Sequence, residues 1–177
     1  MGVKDSFTGA ATLVKAALLL ALLANLCSWI SFTTTSWIQQ EGTTSTLHVG
    51  LWRLCSDSAR SGCDMMDGQG DATFNAVQAF AIFGFVALNA GFVLFLLFVF
   101  WESCKGNTEA SLAAAILLFV SGGCWMLAAI IFGAEYDEKY NDLHYSYALA
   151  IIAAIIAVIG GVVAILARGG SSGVSSS

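Results

Sequence analysis

Four long apolar runs, separated by polar stretches of unequal length, dominate the pattern of this chain. They cover about 12–32, 76–100, 110–132 and 147–167. Each is close to the roughly 20 residues that a helix needs to cross a hydrocarbon core. None carries a charge in its middle, and Lys15 stands near enough to the start of the first to snorkel back to water. No proline interrupts them, so each predicts one continuous helix. Lys4 and Lys15 give the first run the look of a secretion signal. Its apolar length and the absence of a following small-residue cleavage site argue instead for a retained span.

The polar segments carry their own signals. Residues 33–75 form the longest, against short links at about 101–109 and 133–146. Within the long loop, residues 31–40 and 46–55 are rich in β-branched and aromatic side chains, with the turn-like Glu41-Gly-Thr-Thr-Ser between them. That arrangement predicts an antiparallel pair of strands. Residues 64–71 read as an exposed turn leading into the second helix. The predicted architecture is an all-α transmembrane four-helix bundle, a single domain over 1–167, with a small extracellular antiparallel β-sheet lying on the helix ends. Residues 168–177, rich in glycine and serine, read as a flexible cytoplasmic tail or a truncation scar.

Composition agrees with lipid as the solvent. Hydrophobic residues make up 58% of the 177 and charged residues 11%, against roughly 25% charged in soluble domains. The mean hydropathy is +0.79. Four spans put both termini on one side, with Lys4, Lys15, Lys105 and Arg168; Arg53, Arg60 and Lys139 fall on the other. This lysine and arginine bias is weak by itself.

The five cysteines decide the orientation. Cys27 and Cys124 lie inside apolar runs, where a thiol is a small apolar filler. Cys55 and Cys63 are the two in the long loop. A metal site would want more ligands, and only His48 is near, so a disulfide is expected. Disulfides persist in oxidising compartments, which puts the long loop outside the cell and both termini in the cytoplasm of a plasma-membrane protein. Cys104 then stands at the cytoplasmic end of the second helix. Two readings of it remain: S-palmitoylation or a free reduced thiol.

These residues together carry a resemblance. Trp37, then Gly50-Leu51-Trp52-Arg53-Leu54-Cys55, then Cys63 resembles the Trp…Gly-Leu-Trp-x-x-Cys…Cys pattern of the claudin superfamily. That superfamily includes claudins, epithelial membrane proteins, peripheral myelin protein, the lens fibre protein and the gamma subunits of calcium and glutamate channels. The order of helices and loops is similar over nearly the whole chain. Claudins and channel gamma subunits usually carry an arginine just inside the second helix, where this chain has Gln78. Asn75-Ala76-Val77-Gln78-Ala79-Phe80, with the strings from Cys124 and Tyr145, is locally closest to the epithelial membrane protein and peripheral myelin protein branch. The glycan-acceptor sequence usual in that branch is absent, as is the hydrophobic C-terminal residue by which claudins engage PDZ scaffolds. The resemblance implies cell–cell junction or adhesion, or membrane organisation, through the outer sheet. The alternative it implies is an auxiliary gamma-type subunit that binds and modulates an ion channel or receptor.

The remaining residues refine the expectation. Trp37, Leu51 and Trp52 are expected on the apolar underside of the sheet at the membrane interface, where tryptophan is favoured; a pocket for a lipid or toxin is the other reading. Asn25 and Asn89 should hydrogen-bond across helices, and Ala153, Ala157 and Gly161 should let the fourth helix approach its neighbours. The outer loops carry nine acids against three bases. Asp64, Asp67 and Asp71 are therefore a candidate cation-attracting surface; the other reading is a solvated face screened within ~8 Å. No nucleophile–base pair, phosphate loop or metal-ligand spacing is present, so no enzyme activity, cofactor, metal or small-molecule substrate is expected. Nor does an acidic chain with scattered bases predict nucleic-acid binding. The expected partners are the lipid bilayer and either further copies of the chain or a larger membrane protein such as a channel.

Overall fold

The computed structural model describes residues 10–171 apart from 43–44, 58–61, 67–69, 102–103, 105–106 and 141–142, and apart from the side chains of 137–140 and 168–171. Its elements in chain order are α1 (Thr12–Thr33), β1 (Ile38–Glu41), β2 (Thr46–Val49), β3 (Arg53–Ser56), β4 (Gly62–Met65), α2 (Ala72–Phe100), α3 (Thr108–Tyr140) and α4 (Tyr145–Ser171). All four helices are long and apolar enough to cross a membrane. They form a ring in which α1 touches α2 and α4, and α3 touches the same two.

Lipid tails are as apolar as leucine, so helices in a membrane associate by close backbone approach more than by exclusion of water. Small residues supply that approach here. Ala17, Ala21 and Ala24 of α1 are buried with Ala157 and Ala164 of α4. A Cβ added to Gly122 on α3 would come within 2.9 Å of the Ala154 carbonyl on α4. Ala153, Ala157 and Gly161 are all buried in the bundle, as their spacing predicts. Between α1 and α2 the fit is looser and partly polar: Asn25 Nδ2 and Trp29 Nε1 both donate to Asn89 Oδ1, at 3.3 and 3.1 Å. Asn89 in turn donates to the Phe85 carbonyl at 2.8 Å.

The sheet departs from expectation in number and turns. It is a four-stranded antiparallel meander, β1-β2-β3-β4, not a single pair. Residues 46–55 are not one strand; the chain reverses at Gly50, Leu51 and Trp52, pairing Val49 with Leu54. The reversal follows from packing. Gly50 lies so close to the segment after α1 that an added Cβ would sit 2.6 Å from the Thr34 carbonyl oxygen. Residues 64–65, the start of the expected exposed turn, are instead the end of β4, which pairs with β3.

Helix ends also differ from the apolar boundaries. Helix α2 begins at Ala72, where the Asp71 side chain accepts from the Phe74 amide at 2.7 Å as an N-cap. The expected second loop, 133–146, is helical through Tyr140. The apolar face of α3 continues past its last long apolar run, with the Tyr136 ring 4.9 Å from Phe132 and 6.2 Å from Phe74. Helix α4 runs on to Ser171, so the expected flexible segment begins in the last turn of a helix; residues 172–177 lie outside the described residues.

Candidate functional site

The seat of the sheet is where the sequence-predicted residues converge. Trp37 is fully buried, its ring edge-on to Phe132 at 4.9 Å and to Tyr147 at 6.0 Å. Its indole N–H donates to the Ser31 carbonyl at 2.9 Å. Ser31 lies in the last turn of α1, where carbonyls lack helical partners, so Trp37 closes the end of the helix that leads to it. Its backbone is held on both sides: the amide donates to Val49 and the carbonyl accepts from His144, each at 2.9 Å. The same Ser31 donates its Oγ to the Ser146 carbonyl at 2.7 Å, and the Thr34 and Ser146 hydroxyls lie 2.6 Å apart. This polar set ties the end of α1 to the start of α4.

The Gly50-Leu51-Trp52 reversal is held from below. Leu51 is fully buried, and its carbonyl accepts from Gln78 Nε2 on α2 at 2.6 Å. Trp52 is half-buried with its ring 5.1 Å from Phe32, which stacks on Phe85 at 4.3 Å. The indole nitrogens of Trp52 and Trp125 and the hydroxyl of Ser28 are buried with no hydrogen-bond partner among the described residues. Arg53 is exposed at the start of β3. Cys55 and Cys63 stand directly opposite each other on β3 and β4, bridged by a disulfide with their Cα atoms 4.1 Å apart.

The acids of the candidate surface stand in different settings. Asp64 is exposed on β4 opposite Leu54. Asp71 caps α2 and also accepts from the Tyr136 hydroxyl at 3.2 Å; Asp67 lies outside the described residues. On the upper strands His48 and Asp57 approach to 3.2 Å, an exposed contact of small energetic weight. At the far end of the bundle Cys104 is a half-buried free thiol in the turn between α2 and α3. Beneath the sheet an apolar cleft of about 340 Å³ lies among Ile38, Val49, Leu54, Phe74, Phe132 and Tyr136.

Several roles in this seat go beyond the sequence-based expectations, the capping role of Asp71 among them. Asp71 stands three residues before Phe74 at the head of an apolar run, which is a helix-start signal. Ser31, Ser146, Phe132 and Tyr136 carry no local signal, because each acquires its role from a residue far away in the chain.

The architecture can do one thing well: hold a small sheet rigidly on four helix ends. A model of the PMP-22/EMP/MP20/Claudin family matches residues 11–164, which take in α1, the sheet, α2, α3 and α4 as far as Ala164. No curated protein sequence matches the chain.

Proposed function

This chain belongs to the PMP-22/EMP/MP20/Claudin family, and we propose that it acts without catalysis, in cell–cell adhesion or membrane organisation, through the surface of its sheet. The sheet faces out of the cell at the plasma membrane and both termini face the cytoplasm. The Cys55–Cys63 bridge supports that orientation, because such bonds survive in oxidising surroundings.

The observation that carries the reading is the seating of the sheet. Trp37 and Gln78 fix it to α1 and α2 by buried hydrogen bonds, and the disulfide pins its last strand. A surface held this way loses little freedom on meeting a partner, which lowers the cost of association, and recognition is commonly built on loops over a rigid scaffold. Asp64 is exposed on it. Asp64, with Asp67 nearby in sequence, makes its potential negative and draws cations toward it. Gln78, in the place where claudins and channel gamma subunits usually have arginine, supports a place near the epithelial membrane and peripheral myelin protein branch.

Gentle extraction from native membranes, followed by crosslinking and identification of partners, tests the proposal. Self-association alone, with aggregation of otherwise non-adherent cells that express the chain, supports it. Recovery of a stoichiometric complex with one large channel subunit, and no cell aggregation, replaces it with the auxiliary-subunit role.

A further inference from the structure

A groove of about 370 Å³ opens at the boundary between the sheet and α1, lined by Phe32, Thr33, Thr35, Trp52, Arg53 and Met65 among others. We infer that it binds one phospholipid from the leaflet on the sheet side, with Arg53 holding the headgroup phosphate.

Height is the first argument. The apolar span of α1 ends at Thr33, so the groove sits where hydrocarbon gives way to headgroups. Its walls are a phenylalanine and a tryptophan, the tryptophan being of the type enriched at that level. Below it the surface stays apolar and open. Trp29, one turn down α1, is 47% exposed and crosses to α2 with its ring 4.8 Å from Phe85. Ile30 on α1 is likewise exposed, at 44%. An acyl chain descending from the groove would lie along this α1–α2 crossing.

Charge is the second. Among the described residues Arg53 is the only lysine or arginine on the sheet side whose side chain is described, and no carboxylate lies within ion-pair distance of it. Register explains why the neighbouring acid does not neutralise it. Arg53 pairs with Met65, while Asp64 pairs with Leu54, and adjacent strand positions face opposite ways. Arg53 and Met65 therefore share the groove face and Asp64 points from the other. A guanidinium with no acid beside it among the described residues, next to neutral hydroxyls and aromatic rings, is suited to a phosphate diester, which it can engage with two hydrogen bonds. A sterol offers one hydroxyl and would leave the charge uncompensated. Met65, 53% exposed, supplies an adaptable apolar edge for the glycerol and upper chain.

The test uses the full chain, purified in detergent and examined by native mass spectrometry against phosphatidylcholine, diacylglycerol with the same chains, cholesterol and inorganic phosphate. One phosphatidylcholine per chain is expected, with affinity reduced about tenfold or more by Arg53→Gln and only partly restored by Arg53→Lys, which keeps the charge but not the two-pronged contact. Diacylglycerol should bind at least about tenfold more weakly than phosphatidylcholine, and inorganic phosphate should not displace the lipid. An intact disulfide and an unchanged melting temperature establish that Arg53→Gln is folded; should it fail to fold, the diacylglycerol comparison decides. Equal retention of diacylglycerol, a preference for cholesterol, displacement by free phosphate, or undiminished binding to folded Arg53→Gln would each overturn the inference.

Discussion

Gln78 in the second membrane helix donates its side-chain amide to the carbonyl of Leu51 across 2.6 Å, so a transmembrane residue holds the tightest reversal of the sheet above it. Both groups are buried. With Trp37 bonded to Ser31, this bond makes the sheet a continuation of the bundle. A sheet so placed cannot tilt on its helices without leaving a carbonyl unpaired in an apolar setting.

Gln78→Leu keeps the side-chain volume and removes the donor. The Leu51 carbonyl then stays buried and unsatisfied, which costs about 1–3 kcal/mol. Thermal unfolding in detergent should show a lower midpoint, and hydrogen exchange should quicken at residues 50–53 while the helix cores stay protected. Unaltered exchange at the reversal would show that the bond is dispensable.

Trp37 and Trp125 are both fully buried, yet one and the same substitution should affect them differently. Trp37 Nε1 has an acceptor in the Ser31 carbonyl, whereas Trp125 Nε1 has no partner among the described residues. Phenylalanine at either site removes ring volume, but only at position 37 does it also break a hydrogen bond, worth about 0.5–1.5 kcal/mol. Trp37→Phe should therefore destabilise more than Trp125→Phe in parallel melts. Equal losses would point to volume as the whole effect.

The membrane part of this fold is legible from the chain because lipid imposes a length and a chemistry on each span, and 76–100 or 147–167 meet both without interruption. The disulfide is legible because Cys55 and Cys63 stand apart from the other thiols. The reversal at Gly50, Leu51 and Trp52 is not. Leu51 and Trp52 are apolar, as strand residues are, and what turns the chain there is the fit of Gly50 against Thr34 and the reach of Gln78, 27 residues on. The extension of α3 is hidden for a similar reason. Tyr136 stays helical above the span because Phe74 and Asp71, some 65 residues earlier, give it a surface to rest on. Local pattern reports what a segment's solvent demands; it does not report which distant residue will meet it.

Gly50→Ala tests that fit. The new methyl would stand 2.6 Å from the Thr34 carbonyl oxygen and 2.7 Å from the Thr35 Cα, both backbone atoms that cannot swing aside. The sheet must lift from the end of α1, at a cost of about 1–3 kcal/mol by analogy with overpacked cores. Limited proteolysis should then cut within 34–66 at protease levels that leave the original chain intact. Resistance equal to the original would mean that the turn has room the geometry does not show.

Cys55→Ser with Cys63→Ser removes the bridge between β3 and β4. The bonded residues are 8 apart in sequence, and closing so short a loop stabilises by about 2–3 kcal/mol in the chain-entropy account. The helices, held by lipid and by their small-residue contacts, should still insert. The double variant should keep its helical circular dichroism while β4 loses exchange protection and less protein reaches the cell surface. Loss of helical signal as well would show that the sheet is needed for the bundle itself.

Asp64 and Asp71 offer the sharpest separation of surface from structure, because both are exposed acids of the same loop with different surroundings. Asp71 accepts the Phe74 amide at 2.7 Å and the Tyr136 hydroxyl at 3.2 Å, whereas Asp64 stands exposed on β4. Asp71→Ala strips the N-cap of α2 and should cost about 0.5–2 kcal/mol; Asp71→Asn keeps a capping oxygen and should restore most of it. Asp64→Asn should stay within about 0.5 kcal/mol of the original stability, as surface changes do. If the sheet works by its negative surface, Asp64→Asn should nonetheless alter cell aggregation or partner recovery at equal surface expression, with the difference shrinking as salt is raised. Melting curves and the aggregation assay, run on all three variants, distinguish the roles. A stability loss for Asp64→Asn equal to that of Asp71→Ala, or unchanged adhesion at every salt concentration, would remove Asp64 from the contact surface.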